Sequence, residues 1–206
     1  MLRIWGRKNS VNVQKVLWCA AELGLDFERI DAGGAFGRVR DPDYLAMNPN
    51  AMIPTIEDDG FVLWESNAIV RYLAAKHGAG TLCPTDLHAR ADADRWMDWQ
   101  QTTIGPPMGP VFMGLIRTPE PDRDLKLIEA SRAKAADAWR ILDARLKGRD
   151  FVLGERLTMA DIPLGCMTYR WYALPIERPE LPSLKAWYDR LASRQAFQTH
   201  AMQPLT

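Results

Sequence analysis

The stretch Asn50-Ala51-Met52-Ile53-Pro54-Thr55-Ile56-Glu57-Asp58-Asp59-Gly60-Phe61-Val62-Leu63-Trp64-Glu65-Ser66-Asn67-Ala68 constrains the fold more than any other part of the chain. Two short apolar runs flank Asp58-Asp59-Gly60, which reads as a hairpin turn because Asp-Gly tolerates the positive φ values a tight β-turn demands. The second run ends at Glu65-Ser66, and Ile69, Val70 and Leu73 then recur at helical spacing. The order is strand, turn, strand, helix, with Ser66 at the helix entrance. A serine there can cap free main-chain N–H groups, and the same groups attract an anion. Glu65 beside it can hold an ammonium. Together they suit the zwitterionic head of an amino acid. Pro54 opens the first strand, a position where proline is tolerated. A cis Ile53–Pro54 bond would turn the Ile53 amide outward for a peptide ligand.

Upstream, Leu2 and Ile4 alternate with Arg3 and Trp5 as a short strand. Val13, Val16, Leu17 and Ala20 mark one face of a helix that Gly24 stops. Phe27 to Asp31 reads as a second strand, and Asp43 to Met47 as a helical turn. The glycines of Gly33-Gly34-Ala35-Phe36-Gly37 lack the spacing and the following helix of a dinucleotide site. His77 to Pro84 breaks the pattern and reads as a linker, and no strand follows it. Helices are expected from His88 to Ile104, from Leu125 to Leu146, from Thr158 through Trp171, and lastly from Pro182 through Leu191. Gly105-Pro106-Pro107-Met108-Gly109-Pro110 is expected to interrupt or kink the first of these. Thr158-Met159-Ala160-Asp161 reads as a variant capping box, with Asp where Glu or Gln is usual. The boundaries expected are 1–78 for a βαβ-α-ββα domain, 79–87 for a linker, and 88–206 for an all-helical domain.

The formal net charge is zero. No basic face argues for nucleic acid, and no apolar run is long enough to span a bilayer. Three scattered cysteines fit neither a disulfide framework nor a zinc site, and no histidine stands at metal-ligand spacing, so no metal is expected. A reducing cytoplasm is the expected compartment.

The Ile53-Pro54-Thr55 step, the Asp58-Asp59-Gly60 turn, Glu65-Ser66 and the strand-helix order around them resemble the cytosolic glutathione transferase superfamily, of a bacterial, theta-like, serine-using type. The resemblance covers the whole chain. It implies an α/β plus all-α architecture, with a thioredoxin-like domain followed by a helical one. It implies glutathione as substrate, a small hydrophobic electrophile as its partner, and a homodimer. By the same resemblance Ser10 takes the place of the thiol-activating residue, and Asn12 that of an asparagine some relatives use. Glu65 would pair with the γ-glutamyl ammonium and Ser66 with its carboxylate. Met52, Ile53 and Pro54 would meet the cysteinyl backbone as a short strand addition. Relatives often carry a basic residue just before the Ile-Pro step. Here Met52 stands there, so Arg40 is taken as partner for the glycyl carboxylate, with Arg38 and Lys8 as alternatives. Met108, Phe112 and Met113 are candidates for the second-substrate pocket, and plain core is an equal reading of them.

A hydroxyl can suffice for the chemistry. Lowering a thiol pKa of about 8.5 by ~2 units takes about 2.7 kcal/mol. One hydrogen bond to a charged group supplies roughly 1.5–3 kcal/mol. Taken without its surroundings, Ser10 or Asn12 reads equally as a helix N-cap. Two other functions use the same residues. One is a glutathione-dependent disulfide reductase or peroxidase; the other is a non-catalytic binding or regulatory protein.

Overall fold

The computed structural model describes residues 1–206. Strands β1 (Leu2–Trp5), β2 (Phe27–Ile30), β3 (Thr55–Asp58) and β4 (Phe61–Trp64) form one mixed sheet in the order β2-β1-β3-β4. β1 and β2 are parallel, which requires a crossover, and helix α1 (Val11–Glu22) supplies it. β3 runs antiparallel to both β1 and β4. The β3–β4 turn is two residues, Asp59 (φ 50) and Gly60 (φ 89). Two successive positive φ values define the turn whose twist matches a hairpin, which is why Asp-Gly stands there. The short helix α2 (Pro42–Met47) precedes the hairpin, and α3 (Ser66–His77) follows it.

The remainder is helical: α4 (Leu87–Trp99), α5 (Gly105–Phe112), α6 (Leu125–Leu146), α7 (Asp161–Ala173), α8 (Pro182–Ala192) and α9 (Gln195–His200). The glycine-proline run does not interrupt the chain's helical course. The backbone widens instead, through a π-helical turn at Gln100–Ile104, and passes into α5 with its prolines inside. The Gly105 N–H reaches back five residues to the Gln100 carbonyl. That longer step accommodates Pro106 and Pro107, which have no N–H to place in an α ladder. A second π turn, Met113–Arg117, ends the segment. The helix through Leu191 is not the last: α9 follows it after a break at Ser193-Arg194. With six residues and one buried apolar side chain, Phe197, it is too short to show a period.

One apolar cluster of 44 buried residues runs through the sheet half and the helical half alike. α1 is its hub and packs on α3, α7 and α9. Trp18 of α1 sits so close to α7 that a Cβ on Gly165 would lie 2.8 Å from its ring. Glu22 at the end of α1 accepts from Trp18 Nε1 (2.8 Å) and from Arg194 (2.6 and 2.8 Å), tying α1 to the segment before α9. Trp5, Trp18, Trp96, Trp139, Trp171 and Trp187 are buried, which is where an excess of tryptophan belongs in a protein this size.

Asp161 opens α7 and is fully buried. Its carboxylate accepts from Thr158 N–H (2.9 Å), Thr158 Oγ1 (3.2 Å), Val152 N–H (3.0 Å) and Trp187 Nε1 (2.9 Å). This is one half of a capping box, the acid reaching back to the Thr158 N–H. The other half is absent, because the threonine hydroxyl donates to the acid rather than accepting from the helix.

Candidate functional site

Two adjoining clefts open where α1, α3 and the hairpin meet the helical half. The smaller, about 80 Å³, is lined by Asn48, Asn50, Met52, Ile53, Pro54 and Trp64. The larger, about 260 Å³, is lined by Val11 and Lys15 of α1, by Gln100, Gln101, Gly105, Met108 and Gly109 of the π turn and α5, and by Met167 and Arg170 of α7. Asn12, Glu65 and Ser66 line both.

The smaller cleft is built from the hairpin backwards. The Ile53–Pro54 peptide is cis. The Met52 carbonyl is pinned from behind by Tyr44 Oη (2.6 Å) and Asn48 Nδ2 (2.9 Å), and both donors also touch Thr55 Oγ1. Tyr44 and Asn48 are themselves buried. The Ile53 N–H and C=O take part in none of the fold's main-chain hydrogen bonds. Met52 is exposed at the rim.

At the far side, Glu65 adopts φ 72 and ψ 109, a conformation rare for a residue with a side chain. Such backbone costs of the order of 1–3 kcal/mol and tends to occur where a ligand is clamped. It leaves the carboxylate in solvent at the mouth of both clefts and starts α3 on the next residue. The first bond into α3 is Ile69 N–H to Glu65 C=O (2.9 Å), so the N–H groups of Ser66, Asn67 and Ala68 keep their donors free. No acidic side chain occupies the first turn of α3 or of α1.

Asn12 lies in the first turn of α1, and its amide makes no hydrogen bond within the protein. Ser10 is the N-cap position of α1, with extended backbone (φ −81, ψ 123) and no side-chain capping bond. Ser10 lines neither cleft; its main chain makes the contacts, accepting from Gln14 N–H (2.9 Å) and donating to Arg7 C=O (3.2 Å). The geometry therefore brings Asn12, but not Ser10, together with Glu65, Ser66 and Ile53.

Five further candidates line neither cleft. Arg40 is exposed in the loop before α2 and lines neither cleft; Arg38 stacks on Trp5 at 5.0 Å, and Lys8 borders a separate cavity with Phe27 and His200. Of the apolar trio only Met108 faces the larger cleft. At 3.6 residues per turn Met113 lies about 140° round from Met108, and it is exposed. Phe112 is buried, its ring 4.0 Å from the Arg170 guanidinium.

Lys15 and Arg170 were missed at the level of sequence. Lys15 sits within the buried run Val13 to Ala20 of α1, and Arg170 follows the buried run Asp161 to Thr168 of α7, next to buried Trp171. A cation on an apolar helical face was the available signal. Lys15 Nζ stands 3.5 Å from Ser66 Oγ, and burial brings its pKa down to about 8. Burial, reinforced by Arg117, lowers that of Arg170 to about 10. No cysteine lines either cleft. Cys19 and Cys166 are buried, and burial pushes the Cys166 thiol up to about 12, so neither is a nucleophile at neutral pH. No group of metal-ligating side chains comes together, and no helix is long and apolar enough to cross a membrane.

Residues 1–75 match the family model of the glutathione S-transferase N-terminal domain, and residues 104–195 that of the glutathione S-transferase C-terminal domain. The chain is 39% identical over 208 residues to glutathione S-transferase GstB of Escherichia coli, covering 100% of both chains. It is 32% identical over 213 residues to glutathione S-transferase 3 of Zea mays, covering 99% of this chain and 95% of the other. The theta class glutathione S-transferase of Xanthomonas axonopodis pv. citri, solved with glutathione bound, superposes with a TM-score of 0.96 at 48% identity, covering 100% of this chain and 99% of that one. Glutathione transferase F7 of Populus trichocarpa gives 0.88 at 27% identity, covering 99% and 100%.

Proposed function

This chain belongs to the glutathione S-transferase family and is a glutathione transferase, and from that premise we propose that the smaller cleft seats the glutathione tripeptide and the larger its electrophile. The observation that carries this reading is the sharing of Asn12, Glu65 and Ser66 between the two clefts. The γ-glutamyl ammonium meets Glu65. Its carboxylate meets Ser66 and the free N–H groups of α3, with the Lys15 cation behind. The unused Ile53 N–H and C=O pair with the cysteinyl residue. The sulfur then lies toward Asn12, at the boundary of the two clefts, where a small hydrophobic electrophile reaches it. The glycyl end points along Asn50 and Met52, away from Arg40.

The reading is tested by calorimetry and turnover together. Wild-type protein is expected to bind glutathione, and Ser66→Ala to bind it ~1–3 kcal/mol more weakly, since a charged ligand group loses a partner. Unchanged affinity would remove Ser66 from the site. With glutathione, a halonitroarene is expected to be consumed faster than a hydroperoxide or a mixed disulfide; the reverse order would make the protein a reductase or peroxidase, and binding without any turnover a binding protein.

We also assign it a homodimeric state, in a reducing cytoplasm that suits three buried free cysteines. Met52 before the hairpin and Phe61 and Trp64 in β4 are 64%, 48% and 38% exposed, apolar surface that a second copy could cover. Light scattering at micromolar concentration is expected to give twice the 23.3 kDa chain mass; a monomer refutes it.

A further inference from the structure

The larger cleft is more polar than a pocket for neutral hydrophobic molecules needs to be. Only Val11, Met108 and Met167 supply hydrophobic side chains to its wall. Lys15, beside Ser66, belongs with the glutathione half. Arg170 stands apart from it. Its side chain is buried, and its Nε has no partner. What holds it is the Phe112 ring at 4.0 Å and the Asn9 carbonyl at 3.5 Å. No carboxylate neutralises it: of the groups that act on it, Arg117 and Arg7 are cations, and the buried Cys166 thiol, raised to about 12, carries no charge at neutral pH. Buried guanidinium groups are ordinarily paired, because removing a charge from water is costly. The one carboxylate on this cleft's wall is Glu65, which the bound ammonium occupies. An unmatched cation in a ligand cleft is satisfied when the ligand brings the opposite charge.

We propose that the second substrate of this protein is an anionic electrophile, a small molecule whose carboxylate pairs with Arg170 while its reactive carbon faces the glutathione sulfur. The proposal rests on the transferase reading of the same cleft and names its substrate class. In the reaction, the thiolate lone pair forms a carbon–sulfur bond, and the bond to the leaving group breaks with its electron pair. The proton lost by the thiol goes to solvent. The substrate carboxylate is unchanged and stays paired with Arg170.

The probes are 4-chloro-3-nitrobenzoate and its neutral analogue 4-chloro-3-nitrobenzamide. Both lose chloride from the same ring position, and dividing each kcat/KM by the uncatalysed rate removes their intrinsic difference in reactivity. The wild-type protein is expected to favour the carboxylate by at least about tenfold on that scale. Arg170→Met should abolish the preference and Arg170→Lys should keep part of it. Because the preference is a ratio, any help Arg170 gives to the thiolate cancels. The wild-type comparison stands even where a variant fails to fold. An amide used as well as the carboxylate overturns the proposal, and so does a preference that survives in folded Arg170→Met. Glutathione binding and amide turnover without carboxylate preference reject the anion site alone; no glutathione binding rejects the transferase reading with it.

Discussion

Asp161→Ala is expected to destabilise the protein by about 3–5 kcal/mol, because several buried donors lose their acceptor at once. The cost is not that of an ordinary helix cap, roughly 0.5–2 kcal/mol. The carboxylate is fully buried and receives Val152 N–H and Thr158 N–H from the connector before α7 and Trp187 Nε1 from α8. Alanine leaves all three donors unpaired in the core, each at ~1–3 kcal/mol before any water enters the space. For a chain of this length one kcal/mol moves the melting temperature by ~2–4 °C, so a fall of roughly 10 °C is expected. The folded variant should still bind glutathione, because Asp161 lines neither cleft. Burial raises the Asp161 carboxyl above its ordinary value of 3.8, against the pull of the donors around it. A raised folded-state pKa gives stability that is fully present below the unfolded value and lost as pH rises through the folded one. The gap between wild type and Asp161→Ala should therefore widen as pH is lowered from 7 toward 4. Calorimetric melts that coincide at neutral pH would show that Trp187 and the 151–158 segment do not depend on this acid.

The hairpin and the helix after it were legible because each rested on local chemistry. Asp59-Gly60 carries its own turn, and Ile69, Val70 and Leu73 carry their own period. Leu125–Leu146 was equally plain, since one face holds Ala135, Ala138, Trp139, Leu142 and Leu146, all buried. The π turns were not legible. They arise where a proline run meets helices already packed on α6, and pattern reading treats proline only as a stop. That shift of helical phase also decides which apolar side chains face the cleft, so Met108 enters it while Phe112 and Met113 do not. Arg170 and Asn12 line one cleft from positions far apart in the chain, and no local pattern marks a cation that lacks a partner. Ser10 illustrates the opposite limit. Its place in the chain, between β1 and α1, pointed to a thiol contact, whereas it is Asn12, two residues on, that lines the clefts.

Asn12→Ala is expected to raise the pKa of bound glutathione by about one to two units and to slow conjugation at neutral pH by about ten- to a hundredfold. The estimate follows from roughly 1.5–3 kcal/mol for a hydrogen bond to a charged group, with 1.36 kcal/mol equal to one pKa unit. Asn12 lines both clefts and stands in the first turn of α1, where the N–H groups have no helical acceptor. A thiolate at the boundary meets the amide and the positive end of α1 together, and the helix end adds up to ~2 kcal/mol in favourable geometry. On this reading no general base is required, the thiol proton going to solvent. Ser10→Ala is the paired test. The Ser10 hydroxyl makes no capping bond, so its loss should hardly change stability, and since it lines neither cleft its effect on the thiol should be the smaller. The measurement is thiolate absorbance against pH in each variant saturated with glutathione. A larger shift in Ser10→Ala than in Asn12→Ala would return the role to the hydroxyl, reached by a turn of the Ser10 side chain when glutathione binds. No shift in either would leave the thiolate to the backbone N–H groups and the nearby cations, and doubling the salt concentration would then leave the titration of these buried partners in place while weakening any contribution from exposed Arg117.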